Sequence, residues 1–91
     1  MPRYLVERTF CVGARAGTAA DGRAAHDCDD VIRANAREGV TWIHSFVTPD
    51  RCRSFCILDA PSPEAIRVAA QATALPVDRI TEVRVFDPYF L

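Results

Sequence analysis

The sequence predicts an α+β domain with the element order β-α-β-β-α-β, in which a four-stranded antiparallel sheet of order 4-1-3-2 carries two helices on one face. Three observations predict it. Four short runs alternate apolar and polar residues with the period of two that marks strands. Two segments carry helix-spaced apolar residues with end signals, and the two middle strands are separated by Pro49-Asp50-Arg51, a connection short enough for a hairpin. That order is the ferredoxin-like split βαβ arrangement.

Tyr4 to Phe10, YLVERTF, is the first strand. Residues 11–20, CVGARAGTAA, are small and glycine-bearing, and read as a connecting loop. From Asp21 to Glu38 the spacing of Cys28, Ile32 and Asn35 or Ala36, with Val31 beside them, marks one helical face. Gly39 closes that helix, and Asp21 and Asp27 place negative charge near its start, where the helix dipole favours it. Val40 to Thr48 and Cys52 to Asp59 are the hairpin strands. Ser62-Pro63-Glu64 then starts the second helix: the serine can cap, proline sits where no N–H is needed, and glutamate meets the positive end of the dipole. This helix runs through Ile66, Ala69, Ala70 and Thr73 and stops before Leu75-Pro76. Arg79 to Phe86, RITEVRVF, is the fourth strand.

Length and composition bound the function. Ninety-one residues make one domain, residues 1–91, small enough to leave ~two-fifths of the unfolded chain's surface exposed, so association with a second copy would help. The apolar share of 49% and charged share of 25% are ordinary globular values. A net charge of −1, with the basic residues all arginine and scattered, argues against nucleic acid or an anionic membrane as partner. No apolar run nears the ~20 residues that span a bilayer, and charges within Met1 to Arg8 argue against a secretory signal. The expected location is the cytoplasm. There Cys11, Cys28, Cys52 and Cys56 are expected to stay thiols. Cys52 and Cys56 lie ~13 Å apart along a strand, too far for a mutual disulfide or one shared zinc.

Alternation divides the strand residues between two faces. The helix-facing set is expected to be Val6, Phe10, Ile43, Val47, Phe55, Ile57, Val83 and Val85. The open face is then Leu5, Glu7, Thr9, Trp42, His44, Phe46, Ser54, Cys56, Leu58, Glu82, Arg84 and Phe86. A face with so many large apolar groups marks an interface or a ligand cleft. With the apolar end Tyr89-Phe90-Leu91, it predicts a homodimer packed face to face or with exchanged tails.

On that face Glu7, His44, Cys56 and Glu82 come from four strands, and imidazole, thiolate and carboxylate together suit a late first-row divalent metal such as nickel, copper or zinc. The same set would serve an enzyme with His44 as general acid or base. A competing reading pairs Glu7 or Glu82 with Arg84 and leaves His44 a hydrogen bond across the dimer seam. His26 and Asp30, four apart at the start of the first helix, are a second candidate metal cluster, although helix capping alone accounts for the aspartates. A phosphate-binding glycine loop, HExxH, paired CxxC and nucleophile elbow are all missing from the sequence. An enzyme would therefore have to work by acid-base or metal chemistry.

Three segments, with the opening YLVER, carry a resemblance: VTWIHS, FCILDAPSPEAIR and LPVDRITEV. Together they resemble a family of small bacterial proteins catalogued as a domain of unknown function, with a nickel-binding member. The resemblance covers nearly the whole chain outside residues 11–25. It implies a ferredoxin-like homodimer binding nickel or another late first-row divalent ion, with positions matching Glu7, His44, Cys56 and Glu82. The alternatives are a small-molecule enzyme or ligand-binding module on the open face, and a dimer with a purely structural role.

Overall fold

The computed structural model describes residues 1–10 and 26–89. Its elements follow the predicted order: β1 (Arg3–Thr9), α1 (His26–Arg37), β2 (Thr41–Val47), β3 (Arg53–Asp59), α2 (Pro63–Ala72) and β4 (Arg79–Val83). The strands form one antiparallel sheet in the order β2-β3-β1-β4, the predicted order read from its other edge. The loop 11–20 with Cys11, the expected helix start at Asp21, and Phe90 and Leu91 lie outside the described residues.

Local chemistry sets the element ends. The hairpin turn closes on Asp50, whose carboxylate accepts from the Thr48 hydroxyl at 2.7 Å and the Cys52 amide at 3.0 Å, an Asx-type turn that tolerates Arg51 at φ 61°. At the start of α2 the Ser62 hydroxyl accepts from the Ala65 amide at 3.2 Å, with Pro63 at the first turn. Its far end closes by bonds from Ala74 N–H to Gln71 C=O and from Leu75 N–H to Ala70 C=O, with Ala74 left-handed at φ 56°. Gly39, at φ 71°, ends α1 in the same conformation, which glycine adopts without a Cβ penalty.

The core lies between sheet and helices. Tyr4, Val6, Val40, Cys56, Leu58, Ala60 and Ile66 form it, with Trp42, Ala65, Val77 and Ile80 packed at its margin. α2 contributes Ile66, Ala69 and Ala70, as its spacing predicts. α1 follows expectation only in part: Asn35 is buried as its spacing predicts, together with Ala34, whereas Cys28, Ile32 and Ala36 are exposed.

The register corrects the predicted faces of β3, β4 and part of β2. Residues directly opposite in an antiparallel pair project to the same face. Val6 stands opposite Cys56, Tyr4 opposite Leu58 and Arg8 opposite Ser54, so these β3 residues point towards the helices, and Phe55 and Ile57 do not. Ile80 stands opposite Val6 and Glu82 opposite Tyr4, which turns Glu82 to the helix side and Val83 to the open side. A bulge between Trp42 and His44 lets β2 change face: Trp42 lies opposite Leu58 on the core side, and His44 lies opposite Ile57 on the open side. β4 ends at Val83, so Arg84, Val85 and Phe86 belong to neither face, and Val85 and Phe86 are 74% and 72% exposed.

Candidate functional site

The open face is a band of half-buried apolar side chains crossed by polar pairs. Leu5 of β1, Phe55 and Ile57 of β3 and Val83 of β4 are all partly exposed, and Phe46 of β2 is 62% exposed. His44 sits beside Phe46, ring edge to ring face, with centroids 5.1 Å apart. The Arg53 guanidinium lies 5.1 Å from the Phe55 ring centre and 3.6 Å from the Glu7 carboxylate. At one end of the sheet Arg3 grips Asp59 with two hydrogen bonds, at 2.8 and 3.2 Å. The hydrogen bond from Arg3, ahead of its charge, holds the Asp59 carboxyl below its ordinary range, and Asp59 raises Arg3 in return.

The four residues expected to converge do not meet within one chain. His44 and Glu7 share the open face, but β3 runs between them: His44 is opposite Ile57, Ile57 is opposite Leu5, and Glu7 is two residues further along β1. At ~4.8 Å per strand and ~3.3 Å per residue their backbones stand about 12 Å apart. Cys56, 7% exposed, lies in the core, and Glu82, exposed on the edge strand, lies on the helix side. Among the described residues no three His, Cys, Asp or Glu side chains gather closely enough to hold a metal ion. The second cluster lies along α1, with His26 as its first residue and Asp30 one turn on; Asp30 faces Arg33 at 3.6 Å.

Sequence alternation missed Phe55 and Ile57 on the open face, and Arg53 as the residue that engages Glu7. The signal that finds them is cross-strand register: once Val6 is accepted as core, whatever stands opposite it in β3 must be core as well. A shallow cleft of about 440 Å³ opens between Met1, Pro2, Arg3, Asp59 and the end of β4, and His44 does not line it. No helix among the described residues is long and apolar enough to cross a membrane.

A family model described as "Nickel responsive protein SCO4226-like" matches residues 4–83. The crystal structure of SCO4226 from Streptomyces coelicolor A3(2) superimposes with a TM-score of 0.70, covering 93% of this chain and 99% of that one. At 17% identity that likeness speaks for the fold alone. No curated protein sequence matches.

Proposed function

The chain belongs to the SCO4226-like family of nickel-responsive proteins, and from that membership we propose that it binds nickel or another late first-row divalent ion as a homodimer, with His44 as a ligand. The observation that carries this reading is the position of His44: an exposed imidazole on an apolar sheet face, where a second copy would bring further donors towards it. Imidazole nitrogen suits nickel, copper and zinc alike. Glu7, on the same face, is the carboxylate best placed to reach an ion from the facing copy, and leaving Arg53 is its cost.

One feature supports the dimer. Phe46, Leu5, Phe55, Ile57 and Val83 lie on a face that neither helix covers, and exposed apolar groups of this size gathered on one face mark an interface. Two of the charged pairs there neutralise each other, Arg3 with Asp59 and Arg53 with Glu7, which leaves Arg79, opposite Glu7, as a further positive charge on that face. Cys56 and Glu82 take no part in this site, and Cys56 serves the core. The protein remains in the cytoplasm in this reading. Equilibrium dialysis of the purified protein against nickel, with the mass measured by light scattering on the same sample, tests it. A dimer that retains nickel is expected; a monomer, or a dimer retaining none at micromolar concentration, contradicts the proposal.

A further inference from the structure

The sheet's helix side carries a charge that the core does not explain. Arg8 is 6% exposed. Its guanidinium holds five N–H donors and no acceptor. Among the described residues it makes one hydrogen bond, from Nη1 to the Pro76 carbonyl at 2.8 Å, and no carboxylate lies within ion-pair distance. The contrast with its neighbours is informative. Arg3, Arg33 and Arg53, all partly in water, each face a carboxylate, whereas the arginine withdrawn from water faces none among the described residues. A buried cation short of partners is costly, and it persists where something supplies the missing charge.

The nearby acids are committed elsewhere. Glu7 faces Arg53 on the opposite side of the sheet, and Asp78 accepts from the Thr9 hydroxyl. Directly across from Arg8 in the β1–β3 ladder is Ser54, 4% exposed, whose hydroxyl has the Cys56 sulfur at 3.7 Å as its side-chain partner. A thiol is a weak donor and a weak acceptor, so that contact leaves the hydroxyl capable of more. With Nη1 turned to Pro76, the Nε–Nη2 edge of the guanidinium takes no acceptor among the described residues. That edge is the fork that matches two oxygens of a carboxylate or an oxoanion.

We infer that Arg8 is an anion-binding residue, whose Nε–Nη2 edge, without an acceptor among the described residues, holds a small oxygen anion. The shared chemistry is a pair of anionic oxygens, supplied either by a free tetrahedral oxoanion or by the carboxylate of a small acid. This site is on the opposite face of the sheet from His44 and does not depend on the nickel reading.

The test follows the Arg8 Nε–Hε resonance of ¹⁵N-labelled full-length protein at constant ionic strength, as chloride is replaced in turn by phosphate, sulfate and acetate. The resonance is expected to move saturably with at least one of them. Movement with phosphate and sulfate assigns a tetrahedral oxoanion, and movement with acetate alone assigns a carboxylate. The same anion is expected to raise the Tm of the wild-type protein by a few degrees and to leave Arg8→Met unmoved. A resonance indifferent to all three anions overturns the assignment, because buried water then satisfies the guanidinium. An equal Tm response in Arg8→Met overturns it as well, and should that variant not fold, the wild-type resonance decides alone.

Discussion

Ser45, not His44, stands opposite Cys56 across the β2–β3 ladder. One residue of register therefore separates the thiol from the imidazole by the thickness of the sheet. Cys56 belongs to the core with Val6 and Leu58, and His44 looks outward beside Phe46.

The burial pattern predicts unequal costs for truncation. Leu58, 2% exposed, lies under the helices, so Leu58→Ala should lower unfolding stability by about 2–5 kcal/mol through lost burial and the cavity left behind. Val47, 46% exposed at the end of β2, should lose less than about 1 kcal/mol as Val47→Ala. Urea unfolding of the two variants at equal protein concentration measures the difference, and the reverse ranking would contradict the burial of Leu58 beneath the helices.

The two ends of α2 predict changes of opposite sign. Ser62→Ala removes the hydroxyl that accepts from the Ala65 amide and should cost about 1 kcal/mol. Ala74 holds a left-handed conformation that a Cβ disfavours, so Ala74→Gly should gain up to about 1 kcal/mol after glycine's greater unfolded-state entropy is subtracted. Thermal melts of both variants check the signs; a destabilised Ala74→Gly would mean that the left-handed residue carries no strain.

Acid stability should depend on Asp59. Its carboxyl is held below the ordinary range by the hydrogen bond from Arg3, so the native state releases this proton more readily than the unfolded chain does. The linked stability is fully present above the ordinary carboxylate pKa and is lost as pH falls through the lower folded-state value. Asp59→Asn should therefore flatten the acid limb of the stability curve and leave its slope near neutral pH unchanged. The pair is partly exposed, so the effect is modest and should shrink in high salt. Identical acid limbs for variant and wild type would remove the pair from the account.

The element order was legible because local signals agree with one another: alternation in each strand, Ser62-Pro63-Glu64 at the start of α2, Gly39 at the end of α1 and the Asp50 turn. The faces were harder, for reasons particular to these residues. In β3 both alternating sets are apolar, Phe55 and Ile57 against Cys56 and Leu58, so periodicity cannot choose between them and only pairing with β1 does. In β2 the bulge after Trp42 has no glycine or proline to announce it, and it moves Trp42 into the core while leaving His44 outside. In α1 the buried face is made by Ala34 and the polar Asn35, whose carbonyl accepts from the Glu38 and Val40 amides, and the more apolar Ile32 stays 52% exposed. The placement of His44 and Glu7 on the open face was readable from β1 and the second half of β2, where the alternation is unbroken. That Cys56 and Glu82 would turn away was not, because it follows from register.

The central claim, that an open-face histidine binds the metal and the buried thiol does not, is tested most directly by calorimetric titration of nickel into three proteins: wild type, His44→Ala and Cys56→Ala. The account predicts that His44→Ala weakens nickel binding at least about tenfold, while Cys56→Ala, with its fold confirmed by circular dichroism, binds within about twofold of wild type. Loss of binding in folded Cys56→Ala, with binding kept in His44→Ala, would contradict it.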